Sequence, residues 1–311
     1  MLLYIWNEKR GGEIIMKKNI IITIGVAGSG KSTYILKNLK ENAVWLSSDN
    51  IRKELFGNLL DCQDRKSHNQ VFSLMFNRLK EYLTDEKTET IYYDATNLNR
   101  KRRAHLYREI KRINPESIVT SLLFLVPIKE LLEVEKNRPI EKKVTEEVIL
   151  KMYKQLDIPR YGVDSDIILN VYKRSLKDFE EEFSTDTEHN SIYHKETVQE
   201  HINMTIENAN QTNDDILIEV AKYHDLGKFI TKEMITEDKA QFKAHEKVSA
   251  MYFIATNEIN EENLEIAEII YQHMNAHFGI SEKVIRNNKL TSFLLEKIEK
   301  FSEIDNKSRY I

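Results

Sequence analysis

With 311 residues, 41% of them hydrophobic and 31% charged, the chain is long enough for two domains with their own cores and reads as soluble rather than membrane-embedded. No apolar run approaches the roughly 20 residues of a membrane span, and the single cysteine, Cys62, excludes an intrachain disulfide and fits a reducing, cytoplasmic compartment. The net charge of −4 divides into +8 over residues 1–175 (31 Lys+Arg, 23 Asp+Glu) and −12 over residues 176–311 (15 and 27); a basic first half suits a polyanionic substrate, and an acidic second half argues against another broad nucleic-acid surface.

Residues 1–15 do not read as a targeting segment, because their short apolar stretch precedes the charges instead of following them. Met16-Lys17-Lys18 is the better start. Arg10-Gly11-Gly12-Glu13 matches the translation of a purine-rich ribosome-binding site, so 1–15 is expected to be a non-native extension. The apolar run Asn19 to Ile24 predicts a strand, followed by a glycine-rich stretch, Gly25 to Thr33, and a helix to Leu39. Strands are then predicted over Ala43–Ser47, Thr90–Tyr93, Ile118–Val126 and Ile167–Val171. Helices are predicted over Asp49–Phe56, Ser67–Leu83, Arg100–Ile113, Lys129–Lys136 and Thr145–Leu156. Pro127 and Pro159 punctuate a strand end and a helix end. Strands alternating with helices imply an α/β domain, a parallel sheet with helices on both faces, over 16–175. The charged stretch 176–194 reads as a linker. Helical periodicity near 195–208, 214–224, 243–256, 261–276 and 290–303, with no convincing strand, implies an all-α domain over 195–311.

Gly25 to Thr33 (GVAGSGKST) satisfies G-x-x-x-x-G-K-[ST] between a strand and a helix. Its glycines permit a tight loop whose amides, with the helix N-terminus, cradle phosphate oxygens. Gly25, Ala27, Gly28, Ser29, Gly30, Lys31, Ser32 and Thr33 are therefore expected to hold ATP or another NTP, with Lys31 on the β- and γ-phosphates and Ser32 on Mg²⁺. Ligands of an open parallel sheet sit at the carboxyl ends of the strands, which brings Asp49 near this loop. Asp49 is either the base that takes the proton of an attacking hydroxyl or a helix N-cap. Arg52, one turn on, either grips an acceptor phosphate or is a solvated helix charge. Asp94 organises Mg²⁺-bound water or braces the loop, and Thr96 and Asn97 offer hydrogen bonds near the acceptor. The basic run Arg100 to Arg103 binds phosphate or is a solvated face.

Three segments, Met16 to Thr33, Ser48-Asp49-x-x-Arg52 and Asp94 to Arg103, together resemble the kinase domain of the phage-type 5′-polynucleotide kinases. Lys136-Asn137-Arg138 followed by Val144 to Leu156 is similar to that family's lid and post-lid helix, so the resemblance spans about residues 16–160. It implies Lys31 and Ser32 at the donor phosphates and Mg²⁺, Asp49 as general base, Arg52 on the acceptor's phosphate and Arg138 as the lid arginine. The interval from Arg138 to Val144 departs from the family spacing, which leaves Lys142 and Lys143 as substitutes for Arg138.

Seven of the nine histidines lie at or beyond His189. His201, the adjacent pair His224-Asp225, His245, His273 and Asp305 form a constellation of imidazoles and carboxylates suited to Mn²⁺, Fe²⁺, Ni²⁺ or Zn²⁺. Gly227 is placed to turn the chain past the pair, and Lys228 is a phosphate contact or a surface lysine. The arrangement resembles the HD phosphohydrolase superfamily over about residues 190–311, in the order H…HD…H…H…D. The resemblance implies His201, His224, Asp225, His245, His273 and Asp305 as metal ligands, with His277 as an alternative to His273. Two phosphoryl-handling domains in one chain point to a bifunctional end-healing enzyme. It would phosphorylate a 5′-OH end of RNA or DNA and remove a 2′,3′-cyclic or 3′-phosphate, leaving ends that a separate ligase joins. A small-molecule kinase fused to a nucleotide hydrolase, or a nucleotide-sensing module, are the alternatives.

Overall fold

Isoleucine-rich segments dominate the first half, and they form the centre of a parallel sheet. The computed structural model describes residues 9–10, 13–14, 17–59, 64–184, 187–191 and 194–310; Met16 and Cys62 lie outside the described residues. A first compact unit runs to Val126 and takes in Glu130–Ile149 and Tyr161–Val171. Its strands are β1 (Asn19–Ile24), β2 (Ala43–Ser47), β3 (Thr90–Asp94), β4 (Ile118–Leu123) and β5 (Ile167–Asn170). They hydrogen-bond in the order β2-β3-β1-β4-β5, all parallel, with Asn19 opposite both Thr90 and Ile118. β1 is therefore the middle strand, and Ile20, Ile22 and Ile24 have no exposed surface, as expected of a parallel strand covered on both faces.

The connecting helices are α1 (Lys31–Asn38), α2 (Ser48–Phe56), α3 (Arg65–Thr84), α4 (Arg100–Ile113), α5 (Ile128–Lys136) and α6 (Glu146–Gln155). α3 turns Val71, Met75, Leu79 and Leu83 inward, and Asp64 caps it by accepting from the Lys66 and Ser67 amides. The basic run at the start of α4 splits by helix face. Lys101 and Arg102 are exposed, whereas Arg103 is buried, with its Nε 2.7 Å from Asp164 Oδ2 and its Nη1 donating to the Asn97 and Leu98 carbonyls. Arg103 thus braces the loop after β3. Asn97 also turns inward, donating to the Thr23 and Tyr93 carbonyls at 2.8 and 3.2 Å.

The second unit comprises Pro127–Lys129, Leu150–Arg160 and the chain from Tyr172 onward. Its helices are α7 (Val198–Asn210), α8 (Asp215–Tyr223), α9 (Lys228–Thr231), α10 (His245–Thr256), α11 (Glu261–Ala276), α12 (Glu282–Asn288) and α13 (Ser292–Lys307). α10 is buried along almost its whole length from Val248 to Ala255, so it reads as the central helix of this core. The segment Leu150–Arg160 is tied into the same unit: Asp157 Oδ1 accepts from Lys247 Nζ at 2.7 Å and from Tyr271 Oη at 2.9 Å. The stretch read as a linker contributes a 3-10 helix, Leu176–Glu182, whose Phe179 is fully buried with its ring 5.1 Å from that of Tyr252. A hairpin of β6 (Glu233–Thr236) and β7 (Lys239–Gln241) interrupts the helices, contrary to expectation. Its strands are short and largely exposed, so they carry no alternating apolar face to betray them.

Candidate active sites

β1 delivers the glycine-rich loop to the middle of the sheet. Gly28 and Gly30 have φ of 84° and 90°, a region that favours glycine, and a Cβ on Gly25 would stand 2.9 Å from the Phe124 carbonyl. Lys31 is buried, and its Nζ donates to the Gly25 and Val26 carbonyls at 2.9 and 2.8 Å. Burial pushes the Lys31 ammonium down to about 8, with Asp94 and Asp49 pulling it up and Arg138 adding to the depression. At the end of β3, Asp94 Oδ2 accepts from Ser32 Oγ at 2.9 Å and Trp45 Nε1 at 3.0 Å, and Oδ1 accepts from Thr23 Oγ1 at 3.1 Å. Asp94 therefore braces the loop through Ser32. The hydroxyl and carboxylate also form an oxygen donor set that fits Mg²⁺.

On the acceptor side, Ser47 caps α2 by accepting from the Asn50 amide. Asp49 is thereby free of the capping role and lies in the first turn with its side chain half-exposed. Arg52 is buried rather than solvated, with Nη1 3.3 Å from Asp49 Oδ1 and Nη2 donating to His68 Nδ1 at 3.0 Å. Its buried Nε has no hydrogen-bond partner among the described residues. Arg138 pairs with Glu135, whose other oxygen accepts from the Val144 amide at 3.0 Å. A Cβ on Gly28 would lie 3.2 Å from Glu135 Oε1 and 3.9 Å from Arg138 Nη1. Arg138 thus stands beside the phosphate loop despite its altered spacing, while Lys143 Nζ donates to the Lys136 carbonyl.

The second unit gathers all six expected metal-ligating side chains, each buried. α7 supplies His201, the end of α8 supplies His224 and Asp225, the first turn of α10 His245, α11 His273 and α13 Asp305. Every histidine donates from Nδ1 to a backbone carbonyl: His201 to Ser308, His224 to Ala221, His245 to Phe242 and His273 to Ile270, at 2.6–3.0 Å. A carbonyl only accepts, so in the neutral rings each Nε2 is a bare lone pair, the form that ligates metals. These nitrogens meet at 3.3 Å in two pairs, His201 with His224 and His245 with His273. Asp225 serves both pairs. Its Oδ2 is 3.3 Å from His201 and His224 Nε2, and its Oδ1 is 3.3 Å from His245 and 3.9 Å from His273 Nε2. Asp305 Oδ1 joins the first pair, 2.8 Å from His201 Nε2.

Converging lone pairs suit a divalent cation. Asp225 Oδ1 is buried without a hydrogen-bond donor, because the histidine nitrogens facing it carry no proton in that tautomer. Burial opposes charge on Asp225 and Asp305, yet Lys228 and His224 hold Asp225, and His201 and His277 hold Asp305, well below the usual carboxylate range. Burial together with neighbouring His245 and His224 pushes His273 down to about 3. Burial likewise opposes a charge on His224, but Asp225 and Asp305 raise its pKa, so the carboxylates make the cluster attractive to positive charge. His201, His224 and Asp225 form one candidate metal triad, and Asp225, His245 and His273 another.

Residues 20–159 match the family described as AAA domain, and residues 191–301 match the HD domain family. These matches make the chain a kinase-like P-loop domain joined to an HD domain. No curated protein matches the sequence. Similar solved structures include a chain of a Pnkp1/Rnl/Hen1 RNA repair complex, at 21% identity and TM-score 0.38. That alignment covers 45% of this chain and 44% of the other, so it spans less than half of that relative. A fungal RNA kinase (16%, TM-score 0.36, covering 50% and 74%) and a gluconokinase from Sinorhizobium meliloti (20%, 0.32, 52% and 88%) are also similar.

Within the HD domain, two neighbours of the His-Asp pair differ from expectation. The chain does turn there, over His224 to Gly227, but with an ordinary right-handed φ of −63° at Gly227, so the turn itself does not require glycine. A Cβ there would stand 2.2 Å from the His245 carbonyl, so glycine lets α9 and α10 approach. Lys228 is buried rather than a surface lysine, its Nζ 2.6 Å from Asp225 Oδ2. His277 does not replace His273; its Nε2 lies 3.1 Å from Asp305 Oδ2. Sequence reasoning missed His68 in the P-loop domain, and Trp45 and Thr23 on Asp94. Isolated polar residues on a helix or strand give no linear signal for partners recruited from other elements. No helix among the described residues is long and apolar enough to cross a membrane.

Proposed function

We propose that this chain heals broken nucleic-acid ends in the cytoplasm, through a 5′-OH polynucleotide kinase in the P-loop domain and a 2′,3′-cyclic phosphate or 3′-phosphate hydrolase in the HD domain. The observation that carries the reading is the Asp49–Arg52 pair. A half-exposed carboxylate is joined to a buried guanidinium whose Nε is still unpartnered. That pairing suits an acceptor bringing both a hydroxyl and a phosphate. In this reading Asp49 takes the proton of the 5′-hydroxyl and aims its oxygen at the γ-phosphorus, while Arg52 grips the acceptor's adjacent phosphate. Lys31 moves from its loop carbonyls to the β- and γ-phosphates, and Arg138 leaves Glu135 to offset charge on the transferring group. Ser32 and Asp94 would hold Mg²⁺. The +8 balance of residues 1–175 favours a polyanionic acceptor over a small metabolite.

In the HD domain, His201, His224, Asp225 Oδ2 and Asp305 would hold one divalent ion, and Asp225 Oδ1, His245 and His273 a second. Bound ions would polarise a phosphoryl oxygen and lower the pKa of water. The carbonyl-anchored imidazoles keep their lone pairs aimed inward, and Lys228 shifts from Asp225 to an oxygen of the substrate phosphate. The products, a 5′-phosphate and a 3′-OH, are what a separate ligase joins. The test is an RNA oligonucleotide with a 5′-OH and a 2′,3′-cyclic phosphate, incubated with ATP, Mg²⁺ and Mn²⁺ and read by mass spectrometry. Phosphate gained at the 5′ end and lost at the 3′ end is expected. ATP consumed with both ends unchanged would point to a small-molecule kinase instead.

A further inference from the structure

The two oxygens of Asp305 meet different company. Oδ1 faces the metal-ligating nitrogens of His201 and His224, at 2.8 and 3.7 Å. Oδ2 instead accepts from His277 Nε2 at 3.1 Å, and Arg309 Nη2 stands 3.6 Å from it. That guanidinium is only loosely engaged. Its approach to Asp305 is an ion pair that exceeds hydrogen-bond distance. Arg309 Nε is also buried, with no hydrogen-bond partner among the described residues. A guanidinium always carries its charge and presents five N–H donors in a planar fork. A buried donor without an acceptor is unfavourable, so Arg309 is set to gain from an incoming oxygen. Asp305 Oδ2 keeps its bond to His277 if Arg309 turns to another acceptor.

The backbone on both sides of Arg309 is pinned. The Ser308 carbonyl accepts from His201 Nδ1 at 2.8 Å, and Ser308 Oγ accepts from Asn208 Nδ2 at 2.9 Å. The Tyr310 amide donates to Glu196 Oε2 at 3.2 Å, and Glu196 is itself buried. Arg309 is thus tied to α7, the helix that carries His201, and to the residues just before it, so it is held in place relative to the ligand set. Lys228 also stands at this centre, but it is buried and bound to Asp225 Oδ2 at 2.6 Å. Arg309 keeps 25% of its side chain exposed. A ligand arriving from solvent meets it without first breaking a short ion pair.

We infer that Arg309 anchors the substrate of the HD centre, donating from Nε and Nη to two non-bridging oxygens of the phosphate group. The fork matches such a pair of oxygens. A 2′,3′-cyclic phosphodiester and a phosphomonoester both present one, so the same contact serves either substrate. This rests on the phosphohydrolase reading of the HD domain and not on the substrate's being a nucleic acid.

The probe is inorganic phosphate. The full chain is loaded with Mn²⁺ and carries Lys31→Ala to weaken phosphate binding at the P-loop. Calorimetry reads affinity, and elemental mass spectrometry reads metal per chain. Binding that His224→Ala removes is binding at the HD centre. Arg309→Gln should weaken that binding about 10-fold or more, with metal content and melting temperature unchanged. Arg309→Lys, which keeps the charge but not the fork, should fall between. Undiminished affinity in Arg309→Gln would overturn the contact, as would the absence of any His224-dependent binding. Metal lost in parallel with phosphate would also overturn it and make Arg309 a brace for Asp305. Should Arg309→Gln misfold, crystals of the unsubstituted chain grown with Mn²⁺ and phosphate decide. A phosphate oxygen within hydrogen-bond distance of Arg309 supports the anchor, and a centre without one overturns it. Phosphate held through Arg309 while the oligonucleotide's 3′ end stays unchanged would defeat the end-healing reading alone.

Discussion

Lys31 and Gly227 are single residues whose surroundings carry direct consequences. The Lys31 ammonium is buried against two carbonyls of its own loop and depressed to about 8. NTP phosphates favour its charged form and raise its pKa again. Just above pH 8, nucleotide binding should therefore take up a proton, and affinity should weaken as pH rises further. Calorimetry in two buffers of different ionisation enthalpy reads this uptake; equal heats would mean that Lys31 does not meet the phosphates. Gly227 has no such titration, only a contact. Because a Cβ there would lie 2.2 Å from the His245 backbone oxygen, Gly227→Ala should cost about 3 kcal/mol and displace His245, a proposed metal ligand. A lower melting temperature with reduced metal content is expected. Wild-type values for both would show that α9 and α10 can separate without loss.

Elements are held by groups that need not belong to the chemistry. Glu182, at the end of the 3-10 helix Leu176–Glu182, accepts from the Ile128 amide at 2.7 Å and from Tyr252 Oη at 2.5 Å. Burial pushes its carboxyl up to about 6, against those hydrogen bonds. The folded chain thus holds this proton more tightly than the unfolded chain does. The cost of burying the charged form is absent below pH 4.5, grows as pH rises through about 6, and levels off above. A shift of that size corresponds to about 2 kcal/mol. Glu182→Gln should therefore be the more stable protein at neutral pH by up to about 2 kcal/mol, with the advantage vanishing towards pH 4.5. Urea titrations across this range check it; a difference that ignores pH would place the effect in packing instead. At the same scale, the elements of the α/β unit follow from their periodicity. The hairpin β6–β7 does not, because its strands are short and the apolar residues of β6, Met234 and Ile235, are adjacent and exposed instead of alternating.

At the scale of the whole molecule, each unit has its own site under the proposed reading, so the two activities should be separable. Asp49→Ala should lower 5′ phosphorylation by about 10²–10⁴-fold, the usual worth of a general base, and leave 3′ phosphate removal intact. His224→Ala should do the reverse, with loss of bound metal. Separate assays of the two ends on one oligonucleotide check this, and loss of both activities from either change in a folded protein would defeat the two-site reading.

The sequence alone determined the α/β and all-α halves, the phosphate loop and the H…HD…H…H…D series. These are written in local periodicity, in one contiguous motif and in residue types rare enough to stand out along the chain. Tertiary structure alone decided which side chains complete those sites. It set His68 on Arg52, Trp45 and Thr23 on Asp94, and Asp225 between two histidine pairs. It also turned Arg103 into the core and gave Gly227 a packing role within its turn. The physical reason is that a side chain's partner depends on which faces of distant elements meet. That is set by burial and register summed over the whole core, and no single stretch of residues records it.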